Sequence, residues 1–122
     1  MDDKLYWYKA EVMRIVDGDT IKLRVDLGLD SSRRITLRLY GINTPEIRGV
    51  PKDSEEYERG MKAKVFVEER LVGKNLWVHA YRDRTGKYGR YLADVLFQDD
   101  DGKHVSITKL LLEDGLGEEV HY

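Results

Sequence analysis

From Thr20 to Leu27 apolar and charged residues alternate without a break. Ile21, Leu23, Val25 and Leu27 fall on one face, and Lys22, Arg24 and Asp26 on the other. A period of two fits a strand with one buried face and does not fit a helix. Gly28-Leu29-Asp30-Ser31-Ser32 reads as a turn region, and Arg34 to Ile42 as a returning strand with Ile35, Leu37 and Leu39 together. Arg38 and Tyr40 take the opposite face, so Arg38 is not there for core packing.

The rest of the chain adds one strand before this hairpin and two after it. Tyr6 to Val16 alternates in part. Pro45 ends the third strand, and Ile47 to Asp53 forms a loop containing Gly49 and Pro51. Ser54 reads as an N-cap followed by Glu55, Glu56 and Glu58, where a helix dipole favours acids. Ala63, Phe66, Val67 and Leu71 keep helical spacing up to Gly73. Leu76 to Tyr81 and Arg90 to Phe97 read as strands, Asp99 to Gly102 as a turn, and Ser106 as the cap of a short helix ending at Gly115. Three strands, a helix, two strands and a helix predict a mainly β, α+β domain. The plan is a five-stranded OB-fold barrel with two to three packed helices, formed by residues 1–122 as a single domain.

Composition excludes several function classes. With no cysteine there are no disulfides, thiolate metal sites or cysteine nucleophiles. No apolar run approaches the roughly 20 residues of a membrane helix, so no membrane partner is expected. No basic-then-apolar leader opens the sequence. The expected compartment is cytoplasmic by default, or exterior if a leader has been removed, and the expected state is a monomer. The net charge of −2 is unevenly spread: residues 99–119 hold seven acids and two lysines, while residues 81–91 carry +3 among three tyrosines. That basic strip suits phosphate, although long-range capture of a polyanion by the whole chain is expected to be weak.

The residues that carry chemistry lie at strand ends. Asp19 immediately precedes the second strand and Asn43 follows the third, so an antiparallel hairpin sets their oxygens side by side. A carboxylate, an amide oxygen and the backbone carbonyl of Thr44 form a hard-oxygen set of the kind calcium accepts. Asp17, one residue beyond Gly18, is placed to support that set from behind. Glu46 is placed to face the same ion through a water and to orient or deprotonate that water. Arg38 and Arg90 are the phosphate candidates, because a guanidinium grips two oxygens and keeps its charge. Each feature has a plain structural alternative: Asp17-Gly18 as a tight turn, Glu46 as a loop acid, each arginine as a surface ion pair. The combination, rather than any one residue, points to a divalent-metal phosphodiesterase.

These residues resemble the staphylococcal (micrococcal) nuclease, or thermonuclease, family. The similarity runs from about Ala10 to Leu116 and rests on motifs in order. They are Val16-Asp17-Gly18-Asp19-Thr20, Arg38-Leu39-Tyr40-Gly41-Ile42-Asn43-Thr44-Pro45-Glu46, Gly60 with Ala63, Lys87-Tyr88-Gly89-Arg90 with Leu92-Ala93, and Leu110-Leu111 with Gly115-Leu116. The resemblance implies an OB-type barrel that hydrolyses DNA and RNA with Ca2+ and leaves 3′-phosphates. It implies metal ligands at Asp19, Asn43 and the Thr44 carbonyl, with Asp17 outside them. Glu46, Arg38 and Arg90 take the catalytic places. Lys87 and Tyr88 become contacts to a neighbouring phosphate, and Leu92 part of a base pocket. His121 or Tyr122 stands near a base-stacking tyrosine of the family. One departure stands out: Asn43 occupies the place of an aspartate ligand, so the site loses a negative charge. Gly86 also replaces an aspartate, for which Asp83 is a substitute.

The leading expectation is therefore a calcium-dependent, sugar-nonspecific nuclease acting on single-stranded or frayed DNA and on RNA. The alternative is a noncatalytic nucleic-acid-binding OB module with a weakened metal site, which Asn43 favours. A third reading is a protein-interaction domain using the acidic C-terminal face. His79, His104 and His121 have no zinc spacing, and Trp7 and Trp77 read as packing residues.

Overall fold

In a computed structural model the chain forms a closed barrel of five strands with two helices. The structure describes residues 7–85 and 91–120, the side chains of 81–85 excepted. Strands β1 (Trp7–Asp17), β2 (Thr20–Gly28) and β3 (Ser31–Leu39) form a meander. β4 (Ile42–Asn43), α1 (Glu55–Leu71), β5 (Leu76–Thr85), β6 (Tyr91–Gln98), β7 (His104–Ser106), α2 (Ile107–Glu113) and β8 (Glu118–Glu119) follow. The sheet runs β3-β2-β1-β5-β6-β7, and parallel pairing of Leu37, Arg38 and Leu39 with Tyr91, Leu92 and Ala93 closes it. This is the OB-fold plan expected from the strand order.

The barrel interior collects the alternating apolar faces. Ile21, Leu23, Leu37, Leu39, Ala93 and Val95 are buried together with Ala63, Val67 and Leu71 of α1 and Ile107 and Leu111 of α2. Both helices have their expected caps. Ser54 Oγ accepts from the Tyr57 amide at 3.2 Å, and Ser106 Oγ from the Lys109 amide at 3.3 Å. Gly73 and Gly115 follow the helix ends with positive φ, as C-terminal turns require.

Three expectations need correction. Leu27 is 47% exposed rather than buried, because the β2–β3 arm extends past the barrel after Val25. The third strand stops at Leu39 rather than Ile42, where Gly41 (φ 88°) turns the chain and Ile42–Asn43 pairs instead with Glu118–Glu119. Trp7 and Trp77 are half-buried outside the core cluster, where Trp7 stacks on His79 at 4.2 Å and Trp77 lies against His104 at 4.5 Å.

The hairpin turn is tighter than the sequence suggested, with Gly28 paired to Ser31 across two residues, Leu29 and Asp30. Both have positive φ, 54° and 61°, the pattern that favours Asn-Gly. Leu29 is fully exposed, so its side chain gains no packing to offset the left-handed backbone. Leu29→Asn is expected to stabilise the domain by about 0.5–1 kcal/mol, read as a rise in the urea midpoint at constant slope. A fall would show that the leucine makes contacts after all.

Asp94 ties the far side of the barrel together. Its Oδ1 accepts from Ser106 Oγ at 2.8 Å, linking β6 to the α2 cap. Burial pushes the Asp94 carboxyl above its ordinary 3.8, against the hydrogen bond from Ser106 and the nearby His79. The unfolded chain loses that proton first, so stability falls as pH rises above the ordinary aspartate value. Asp94→Asn keeps an acceptor for Ser106 and is expected to flatten part of this slope in urea titrations at several pH values. An unaltered slope would contradict the assignment.

Candidate active site

The β1–β2 hairpin closes in two residues, Gly18 and Asp19, because Asp17 pairs with Thr20. A register shift between Ile15 and Asp17 bulges β1 just before the turn and re-aims it. Asp17 Oδ1 accepts from the Asp19 amide at 3.1 Å, an Asx turn that fixes where the Asp19 side chain leaves the backbone. The Asp19 carboxylate is buried and accepts on both oxygens. Thr20 Oγ1 donates to Oδ1 at 3.1 Å, and the Thr44 amide, 25 residues away, donates to Oδ2 at 3.0 Å. The Leu39 amide also donates to the Asp19 carbonyl at 2.9 Å. The expected juxtaposition of the β2 start with the β3 end is thus present, with Thr20 opposite Arg38.

Arg38 brings the two polar ends together. Its Nη1 donates to the Leu39 carbonyl at 3.2 Å, while Nη2 donates to Asn43 Oδ1 and lies 3.6 Å from Asp19 Oδ2. One carboxylate oxygen and one amide oxygen therefore converge on a single cationic nitrogen. Asn43 and Glu46 are exposed at the lip, and Asp17 is half-buried behind it. Burial, then the neighbouring Asp19 carboxylate, and more weakly Glu46, push Asp17 up to about 7, against the hydrogen bond from the Asp19 amide.

Among the described residues no three Asp, Glu or His side chains gather round one point. What converges is a mixed oxygen set of low charge. Its chemistry fits a hard divalent cation: each carboxylate oxygen of Asp19 has one recorded donor and spare lone pairs. Thr44 Oγ1 is a further oxygen at this junction, buried with no hydrogen-bond partner among the described residues. Leu92 is almost fully buried and pairs with Arg38 in the parallel ladder. Arg90, Lys87 and Tyr88 lie outside the described residues, as do His121 and Tyr122, and the Asp83 side chain is not described.

Sequence reasoning missed how the turn is held. A Cβ on Gly18 would stand 2.7 Å from Ala63 Cβ and 2.9 Å from Thr44 Oγ1 and Cγ2. A Cβ on Gly60 would stand 2.5 Å from Ile47 Cγ2 and 2.7 Å from the Pro45 carbonyl. Helix α1 is thus pressed against both the Asp17–Asp19 turn and the loop that carries Glu46. The signal was present, since Gly60 and Ala63 sit three residues apart on the helix, but only the fold shows what they touch. Also missed was a cleft of about 620 Å³ lined by Lys22, Arg33, Arg34 and Arg48, with Asp17 and Glu46 among its other walls.

Residues 36–122 match the model of the family described as staphylococcal nuclease homologue. This chain belongs to the staphylococcal nuclease family. The matched stretch begins inside β3, so it takes in Arg38, Asn43, Thr44 and Glu46, while Asp17 and Asp19 precede it. The chain is 34% identical to the thermonuclease of Staphylococcus intermedius over 73% of its length and 49% of that protein. It is 32% identical to the uncharacterized protein MJ1439 of Methanocaldococcus jannaschii over 88% of its length and 57% of that protein. It therefore spans about half the length of the curated relatives it matches. Family and barrel together give a nuclease-type fold. Among the described residues no helix is long and apolar enough to cross a membrane.

Gly60→Ala is expected to lower stability by about 1–3 kcal/mol in urea denaturation, even though alanine is the better helix former. A neutral or stabilising result would show that the Pro45–Ile47 loop yields freely to α1.

Proposed function

We propose that this domain is a calcium-dependent nuclease that hydrolyses phosphodiester bonds of DNA and RNA and leaves 3′-phosphates. The observation that supports it most is the convergence of Asp19 Oδ2 and Asn43 Oδ1 on Arg38 Nη2, beside Glu46 at an open cleft. In this reading Asp19, the Asn43 amide oxygen and the Thr44 carbonyl hold the calcium ion. A divalent cation so held neutralises phosphate charge and polarises the phosphorus centre.

The chain's own groups do the rest. Arg38 exchanges its carboxylate and amide partners for oxygens of the reacting phosphate, and its planar fork favours the extra charge of the transition state. Arg90 supplies the second guanidinium. Glu46, exposed at the lip, orients the attacking water and takes its proton as the P–O5′ bond breaks, and the departing 5′-oxygen takes a proton from solvent. Asp17 keeps the Asp19 carboxylate aimed by holding the Asp19 amide. Lys87, Tyr88 and Leu92 hold the neighbouring nucleotide. Attack at phosphorus requires a base turned aside, so single-stranded or frayed substrate is favoured over duplex, with little preference for sequence or sugar.

The second reading, a noncatalytic binding module, draws on one observation: a single carboxylate, Asp19, faces the convergent point, and its partner is the neutral Asn43. Plasmid nicking with calcium and with chelator separates the two. Nicking that needs calcium supports the nuclease, and none at any calcium concentration supports the module. Arg38→Lys is expected to lower kcat by at least about a hundredfold with a small change in KM; turnover within a few-fold of the parent would refute the role. Asn43→Asp adds a ligand charge and is expected to tighten calcium binding by calorimetry. Weaker binding would remove Asn43 from the ligand set.

A further inference from the structure

The β2–β3 hairpin carries more positive charge on its outer face than a fold needs. Arg38, Thr36 and Arg34 are alternate residues of β3, and Thr20, Lys22 and Arg24 are their direct cross-strand partners. Arg34 thus lies directly opposite Arg24, a like-charge pairing that weakens a sheet. Arg24 is paired with Glu11. Among the described residues no carboxylate forms an ion pair with Lys22, Arg34 or Arg48. These cations line one cleft of about 620 Å³ whose other walls include Asp17 and Glu46. From Arg38 to Arg34 is four residues of strand, roughly 13 Å. Tyr91 lines the same cleft, with the Arg33 guanidinium 5.6 Å from its ring centroid.

We infer that this cleft is an extended binding track for a single nucleic-acid strand, leading away from the reacting phosphate. Lys22, Arg34 and Arg48 contact successive phosphates, and a base lies against the Tyr91–Arg33 pair. A row of isolated cations matches a polyanion, since each contact releases a condensed counterion. A guanidinium stacked on a tyrosine gives an unpaired base a flat surface without reading its edge. A duplex keeps its bases stacked inside and has none to offer that surface. The inference rests on the nucleic-acid reading of the site proposed above, and it adds Lys22, Arg33, Arg34, Arg48 and Tyr91, which that reading does not use.

Anisotropy of a fluorescein-labelled single-stranded oligonucleotide, titrated in chelator at increasing salt, tests it. Each single-strand phosphate contact adds roughly 0.7 to the slope of log affinity against log salt. Lys22→Ala combined with Arg34→Ala is therefore expected to lower the slope by about 1.4 and weaken low-salt binding roughly tenfold. Lys74→Ala combined with Lys103→Ala removes the same charge from exposed positions outside the cleft and is expected to keep the slope. Lys22→Arg with Arg34→Lys is expected to retain it as well. Tyr91→Ala is expected to weaken binding without altering the slope. An unchanged slope in the cleft variant, an equal fall in the control, or equally tight binding of matched duplex overturns the track. Parent protein that binds with full slope but never cuts would refute the nuclease reading and leave the track standing. Parent that cuts, with cleft variants binding as it does, would do the reverse.

Discussion

The hydrogen bond from the Thr44 amide to Asp19 Oδ2 holds the site together. It joins the β1–β2 turn to the chain leaving β3, across 25 residues of sequence, in a buried place where an unpaired carboxylate would be costly. Everything near it depends on that junction. Thr44 in turn limits the room above Gly18, and Ala63 of α1 limits it from the other side. A side chain at position 18 would separate helix from turn and move Asp19 relative to Asn43 and Arg38. The site is therefore built on packed strand ends and a helix face rather than on a free loop, which suits a reaction needing fixed geometry.

Charge follows the same logic. Asp17 and Asp19 are two carboxylates within hydrogen-bonding range of the same turn, and burial raises Asp17 to about 7. Two like charges so close are eased by a proton, which Asp17 holds more readily than an ordinary aspartate, or by a cation. Arg38 provides one, held between Asp19 and Asn43. A guanidinium can leave for a phosphate only if something else takes over the charge balance. In the proposed reading, asparagine at position 43, where the resemblance implies an aspartate, would lower the demand for that replacement and the attraction for a metal together, and would leave the site less repulsive to a phosphate.

Much of the fold could be read from periodicity and punctuation. The alternation from Ile21 to Val25, the caps at Ser54 and Ser106 and the glycines after each helix are local signals, and they hold in the structure. Leu27 misled because alternation marks a face but not where the barrel ends. Ile42 misled because a buried apolar residue looks the same in a continuing strand and in a separate two-residue ladder. Asp19, Arg38, Asn43 and Thr44 are brought together as their strand-end positions implied. The cleft cations were not legible, since Lys22, Arg33, Arg34 and Arg48 become neighbours only when the hairpin and the following loop fold over one another. The charge count favoured residues 81–91 because charge there is dense along the chain rather than in space.

The core is conventionally apolar. Unfavourable features occur on the far side, at Asp94 and Thr108 Oγ1, and also about the mouth and the β2–β3 hairpin. At the mouth and hairpin, Asp17 is a half-buried acid held above its ordinary range, Thr44 Oγ1 is buried without a partner among the described residues, and Arg34 faces Arg24 across a ladder. None of these helps a chain whose only task is to fold, and each lowers a stability that is small to begin with. Their signs are informative. The mouth would be eased by a cation among hard oxygens, and the hairpin by an anion along its row of cations. Natural sequences depart from local consistency chiefly where a ligand restores it. The phosphodiester strand and cation proposed above would supply both signs at once, the negative charge along the cleft and the positive charge at its end.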